Sequence, residues 1–259
     1  MPSELITERR GATLVLTISD PPTRNTLSAQ AIAAGIEALG AAESNDEVRA
    51  VVLRGEGATF CAGGNLNGLL ERRAAGREAQ RQMLEHLHHF VATIRAYPKP
   101  VLASIEGTAA GAGFSLALAC DLVVAAVNAR FVMSYARVGL TPDGGATWGL
   151  VRALPRALVL KMVWLGEPVS AEMLHSHGLV TAIAPAGRAI DETLRIADRL
   201  AAMAPNAIAV AKELIDQAPG HTLSEQLEAE RDRFIESLFH RNGEEGLKAF
   251  LAKRAPRFS

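Results

Sequence analysis

The segment from Val138 to Trp148 reads V-G-L-T-P-D-G-G-A-T-W, and it sets a carboxylate, Asp143, between a proline and two glycines. Pro presets φ, Asp bonds its own downstream backbone and Gly accepts positive φ, so the tetrapeptide is a turn former in its own right. A carboxylate raised on such a turn is also placed to act as a general acid or base, provided a site for the developing negative charge lies beside it. Two glycine-rich loops supply candidates for that site: G-E-G-A-T-F-C-A-G-G-N-L over 55–66 and E-G-T-A-A-G-A-G-F-S-L-A-L-A-C-D over 106–121. Each follows a strand-like run and opens a helix, which leaves backbone N–H groups unpaired where an anion is favoured. Taken singly, each loop is better explained by close packing of helix on strand. Taken together, convergence of the Gly64 and Ala112 N–H groups makes an oxyanion hole able to hold a thioester enolate.

The loops do not fit nucleotide cofactors. Gly55-x-Gly57 is followed by Phe60 and Gly111-x-Gly113 by Leu116 where a dinucleotide fingerprint needs its third glycine, and no Lys-Ser/Thr follows for a phosphate loop. No metal is implied, because His86, His88 and His89 in E-H-L-H-H-F have no Asp or Cys partner at ligand spacing. They read as a solvated helix face, and His175 and His177 as a helix C-terminus. Cys61 and Cys120 stand apart among small residues and read as free structural thiols. Asp121 reads as a junction residue bonding backbone, and Trp148 and Trp164 as pocket wall or core.

The elements that must position these residues alternate in period. Thr13 to Ser19 alternates as a strand, with 5–9 as its hairpin partner around Gly11. Ser28 caps a helix to about Ser44, and 48–54 is a buried strand. Asn65 caps a short helix that gives way to a polar segment at 71–81. A long helix then runs to about Ala96, where Pro98 and Pro100 stop it. Strands follow at 101–105 and 122–127, with a loop at 107–113 and a helix at 114–119 between them, and a third strand-bearing run spans 131–138. From about Ala189 the chain is helical and more charged. This is an α/β pattern, divided as a core over 1–195 and a helical oligomerisation region over 196–259. With 259 residues, 49% of them hydrophobic, the chain can bury a full core, and its net charge of −1 gives no footprint for nucleic acid or an anionic membrane. With no apolar leader or span and only two cysteines, the expected location is the cytoplasm.

The strings F-C-A-G-G-N-L, G-x-A-x-G-A-G-x-x-L-A-L-A-C-D, G-L-x-P-D-G-G-x-T-W and the closing E-G-L-K-A-F-L-A-K-R-x-P-x-F resemble the enoyl-CoA hydratase/isomerase (crotonase) superfamily over essentially the whole chain. The resemblance implies a spiral of ββα units with a C-terminal helical trimerisation region, assembling as a trimer or dimer of trimers. It implies an acyl-CoA thioester as substrate and no separate cofactor. Carried onto this sequence, Gly64 and Ala112 form the oxyanion hole. Arg24, Asn25, Leu27, Ala62, Gly63, Leu66 and Gly111 line the CoA groove, and Phe250 and Lys253 of a neighbouring subunit reach the adenosine end.

Hydratases of this superfamily use two glutamates, and the corresponding positions here hold Ser115 and Tyr135, which become secondary candidates. Asp143 resembles the base of the phenylacetate-pathway isomerase, which rearranges an epoxyphenylacetyl-CoA and also shifts 3-enoyl to 2-enoyl thioesters. That reading makes Asp143 the acid/base of an isomerase. Its alternatives are a 2-enoyl hydratase, a silent thioester-binding paralogue, and a dehalogenase-type site in which Asp143 is a nucleophile served by a histidine of E-H-L-H-H-F.

Overall fold

The computed structural model describes residues 3–259. Its strands are β1 (Glu4–Arg10), β2 (Thr13–Ser19), β3 (Ala50–Gly55), β4 (Val101–Ile105), β5 (Thr108–Ala110), β6 (Leu122–Ala126), β7 (Arg130–Val132), β8 (Val169–Ser170) and β9 (Ala182–Ala184). The helices are α1 (Ala29–Glu43), α2 (Leu66–Ala75), α3 (Arg77–Ala96), α4 (Ala112–Ala119), α5 (Ala146–Ala153), α6 (Arg156–Leu165), α7 (Ala171–Ser176), α8 (Ala189–Ala201), α9 (Pro205–Gln217), α10 (Leu223–Phe239) and α11 (Arg241–Leu251).

One sheet has the order β1-β2-β3-β4-β6-β9, and a second has the order β5-β7-β8. The β1–β2 hairpin pairs antiparallel, and every other pairing in the large sheet is parallel. The chain therefore winds between the two sheets: β4 and β6 enter the large one, and β5 and β7, a few residues later, enter the small one. Strands β3 and β4 are apolar almost throughout, as strands covered on both faces must be. One face of the large sheet packs on α8 through Val15, Val52, Leu102 and Ala197, with Leu194 and Leu200 at the margin. The opposite face carries the main core, where Leu53, Phe90, Phe114 and Phe131 are fully covered.

Several expectations are met. Ser28 accepts from Ala31 N and Asn65 from Asn67 N and Gly68 N, as N-caps do. Others are corrected. The loop expected at 107–113 contains β5, a strand too short and too rich in small residues to show alternation. The helix begun at Leu66 continues to Ala75 and is parted from α3 by Gly76 alone. The strand expected to continue past Val132 turns into a 3₁₀ helix, Ser134–Val138. The boundary drawn between 195 and 196 falls inside α8, which packs on the large sheet.

Candidate active site

The two glycine loops meet through their backbones. Cys61 N donates to Thr108 O at 3.2 Å and Ala110 N to Cys61 O at 2.9 Å, so the first loop runs as a short parallel partner of β5. Gly63 makes the approach possible. It has φ +89°, and a Cβ there would lie 2.8 Å from Ala110 O and 3.1 Å from Ala112 N. A Cβ on Gly64 would meet nothing within 4 Å, so that residue faces open space. Among the described residues, neither the Gly64 nor the Ala112 N–H donates to an acceptor. Two unpaired donors, one on the first loop and one at the first residue of α4, thus sit on loops held together by main-chain bonds.

The arm before α1 fixes the first loop from its other side. Ala62 N donates to Arg24 O at 3.0 Å and Leu27 N to Gly63 O at 2.8 Å. The Asn25 side chain accepts from Asp20 N and donates to Glu56 O and Thr59 O, at 2.9, 2.9 and 2.7 Å. Asn25 is wholly buried and Leu27 nearly so. Their side chains point into the protein, Asn25 as a tie and Leu27 as core, so only their main chain is left to face a groove. Arg24, Ala62 and Leu66 remain at the surface beside Gly64. Phe250 and Lys253 lie at the end of α11, with Phe250 83% exposed. Arg24, Asn25 and Lys253 have φ of 60°, 59° and 52°, a conformation that L side chains adopt at a cost.

Asp143 sits on its turn, half-buried, between the 3₁₀ helix and α5. The Tyr135 hydroxyl donates to Asp143 Oδ1 at 2.6 Å. Ser115, one turn into α4, donates to the Asp143 carbonyl at 2.9 Å and to Gly111 O at 3.3 Å. A Cβ on Gly111 would lie 3.5 Å from the Tyr135 hydroxyl, so the phenol rests against the residue that precedes Ala112. Burial pushes the Asp143 carboxyl above the ordinary carboxylate range, opposed by the Tyr135 hydrogen bond, the charge of His88 on α3 and its own backbone N–H. Burial, and then the negative charge of Asp143, push the Tyr135 phenol up, so it stays protonated and remains a donor. A half-buried carboxylate held in a fixed orientation can take a proton from a carbon acid and give it back.

Sequence reading did not foresee that Tyr135 and Ser115 both bind Asp143, nor which of the three helical histidines faces it. Leu87, Phe90 and Ile94 are the buried residues of α3, and the charge of His88 reaches Asp143. Asp121 behaves as expected, accepting from Val101 N at 2.8 Å. It also pairs with Lys212 of α9, which donates to Tyr97 O at 2.8 Å. Trp164 is 68% exposed, so it is not core. Trp148 does line a cavity of about 730 Å³, bordered by Val91, Leu118, Ser115, Gly144 and Gly145. The thiols Cys61 and Cys120 are both free and buried. Among the described residues, no group of three or more His, Cys, Asp or Glu side chains is placed to hold a metal ion, and no helix is long and apolar enough to cross a membrane.

Comparison with known proteins agrees with this geometry. Residues 8–259 match the family model of enoyl-CoA hydratase/isomerase. The chain is 33% identical to the 2,3-dehydroadipyl-CoA hydratase of Escherichia coli K12, over 99% of this chain and 98% of that one. It is 34% identical to the 1,2-epoxyphenylacetyl-CoA isomerase of the same organism, over 95% and 94%. The crystal structure of an enoyl-CoA hydratase from Polaromonas sp. JS666 superposes with a TM-score of 0.98 at 56% identity, covering 99% of this chain and all of that one. A spiral of strands between two sheets, two glycine loops joined at an unpaired pair of N–H groups, and a match running from β1 to the last residue lead to one conclusion: the chain has the crotonase fold and belongs to the enoyl-CoA hydratase/isomerase family, which acts on acyl-CoA thioesters.

Proposed function

We propose that the protein is an acyl-CoA isomerase, moving a double bond from the 3- to the 2-position or rearranging an epoxyphenylacetyl-CoA through a thioester enolate. The observation that carries this reading is the state of the side chains around Asp143: Ser115 and Tyr135, which stand where a hydratase has its two glutamates, are both spent in holding this one carboxylate residue. Hydration calls for a base on water and an acid at the α-carbon, and a single carboxylate serves a proton shift better. Asp143 removes the α-proton, the electron pair moves into the thioester carbonyl, and the Gly64 and Ala112 N–H groups carry the oxyanion. The carbonyl then re-forms, the double bond becomes conjugated, and Asp143 returns its proton at the γ-carbon. No cofactor enters this cycle.

Arg24, Ala62, Gly63, Leu66 and Gly111 border the surface that takes the CoA portion in this reading. Phe250 and Lys253 serve a neighbouring copy in a trimer or dimer of trimers. The apolar side chains left open on the last helices, Phe234, Phe239, Phe250 and Leu251 among them, favour such an assembly. Buried, unpaired thiols suit a reducing cytoplasm.

The test is turnover of a 3-enoyl-CoA and a 2-enoyl-CoA, side by side, by the wild type and Asp143→Asn. Formation of the conjugated 2-enoyl thioester, reduced in the variant by about three orders of magnitude or more, is the expected result. Hydration of the 2-enoyl substrate alone sinks the isomerase reading. Thioester binding without turnover identifies a silent paralogue.

A further inference from the structure

We infer that Tyr135 and Ser115 are positioning residues that together turn Asp143 into a base acting through one oxygen, with Oδ1 held by the phenol, the Asp143 carbonyl pinned by the serine, and Oδ2 left to carry the proton. The inference rests on the reading of Asp143 as the acid/base. It begins with chain geometry. Tyr135 and Asp143 are eight residues apart, and the stretch between them is folded tightly back, with Gly139 N donating to Ala136 O and Leu140 N to Tyr135 O. The phenol, buried against Gly111, therefore meets the carboxylate from a fixed direction.

Ser115 approaches from α4, the helix whose first N–H belongs to the hole. It bonds the main chain of Asp143 and not its carboxylate. A Cβ on Gly144 would come within 2.9 Å of Ser115 Cβ, so the turn and α4 are in direct contact there. Asp143 is thus referenced twice to the element that carries Ala112: through Ser115, and through Tyr135 resting on Gly111. No side chain donates to Oδ2 among the described residues.

A proton shuttled between two carbons one atom apart needs one oxygen that sweeps a short arc, and a carboxylate free to spin about its χ2 bond offers no fixed arc. Locking Oδ1 removes that freedom. The groups that act on Asp143 are Tyr135 from the 3₁₀ helix, Ser115 from α4, the charge of His88 on α3 and the backbone of its own turn. Of these, Tyr135 alone donates a side-chain hydrogen bond to the carboxylate. Such a bond favours the ionised form, so its loss raises the pH at which Asp143 becomes a base.

The experiment compares wild type, Tyr135→Phe and Ser115→Ala in two ways: the pH dependence of kcat/KM on a 3-enoyl-CoA, and titration of the Asp143 carboxylate by infrared difference against Asp143→Asn. For Tyr135→Phe, the acid limb and the carboxylate titration are expected to move up together by about one to two pH units. For Ser115→Ala, kcat falls while the two titrations move far less than in Tyr135→Phe, because the serine bonds the Asp143 main chain and reaches the carboxylate only through Tyr135. A carboxylate titration left in place by Tyr135→Phe overturns the inference, and so does an equal shift from Ser115→Ala. Should Tyr135→Phe fail to fold, uniform 3-fluorotyrosine labelling replaces it. The chain has two tyrosines, the other being Tyr97 bonded to Leu39 O, and the more acidic phenol is expected to lower the limb. A protein that turns over no thioester, yet whose carboxylate titration moves with Tyr135, retires the isomerase reading and leaves the positioning role intact.

Discussion

Gly63 and Gly64 are neighbours with opposite predicted responses to the same added methyl group. At Gly63, φ is +89°, so alanine there is strained by about 1–2 kcal/mol before any contact is considered. Its Cβ would also stand 2.8 Å from Ala110 O and 3.1 Å from Ala112 N, both main-chain atoms that cannot swing aside. Relief requires the loop or β5 to shift by several tenths of an ångström, an overpacking cost of about 1–3 kcal/mol. Gly63→Ala is therefore expected to lose about 2–5 kcal/mol, which lowers the thermal midpoint by roughly 4–15 °C for a chain of this size. In the proposed reading the shift also moves one donor of the hole relative to the other, and misplacing an oxyanion donor lowers kcat by about 10²-fold or more. At Gly64 the added Cβ meets no protein atom within 4 Å. Gly64→Ala should melt with the wild type and fail only toward ligand, showing as weaker binding of a saturated acyl-CoA. Scanning calorimetry together with titration calorimetry reads both variants. A Gly63→Ala protein that melts within a degree or two of wild type, or a Gly64→Ala protein that binds the thioester unchanged, refutes the account of how the two loops meet.

Three further outcomes follow from the same coordinates. Asp143 has its folded-state pKa raised by burial, so the native state holds its proton to higher pH than the unfolded chain, and stability falls as pH rises through that window. Asp143→Asn should accordingly melt above wild type at neutral pH, with the gap closing below the ordinary aspartate pKa of about 4; a gap independent of pH contradicts this. Lys212→Met leaves Asp121 buried without its ion pair and is expected to cost about 2–4 kcal/mol in chemical denaturation, much of it recovered in the Asp121→Asn/Lys212→Met double variant; equal loss in both would show that the charge is not the cause. Asn25→Ala removes three hydrogen bonds and leaves a non-glycine residue at φ 59°, so it should destabilise by about 2–4 kcal/mol, and an effect below about 1 kcal/mol in the same assay would remove Asn25 as the tie of the arm.

Much of this could be read from the sequence because it is written in local signals. Ser28 and Asn65 announced their helices by type and position, Pro98 and Pro100 marked the end of α3, and the small residues of 107–113 announced a close approach. What escaped depended on contacts distant in sequence or lacking periodicity. Strand β5 is three residues of Thr and Ala, too short to alternate, and it exists because Cys61 and Arg130 bring partners alongside. Tyr135 looked like a strand aromatic because Phe131 and Val132 precede it, whereas the backbone has already turned at Met133. Its bond to Asp143 is a property of the return loop, which no spacing rule predicts. Asn25 was read toward the ligand because the arm lies there, but its amide is consumed by three backbone groups. Lys212 is 91 residues from Asp121, and nothing on either side in sequence points to the other.

The bonds that join the two glycine loops run from main chain to main chain, and the two donors they present belong to the main chain as well. Side chains therefore enter the hole's specification chiefly as exclusions, through the absence of a Cβ at Gly63 and at Gly113, where one would lie 2.4 Å from Cys61 O. Substitution elsewhere can proceed widely without dismantling this junction, while in the proposed reading the chemistry depends on which side chain the turn at Asp143 offers. This separation gives a physical reason why proteins bearing the names of a hydratase and of an isomerase stand at nearly the same distance, 33% and 34% identity, from one chain. Overall identity counts the scaffold, and in the proposed reading the reaction is decided at positions 115, 135 and 143.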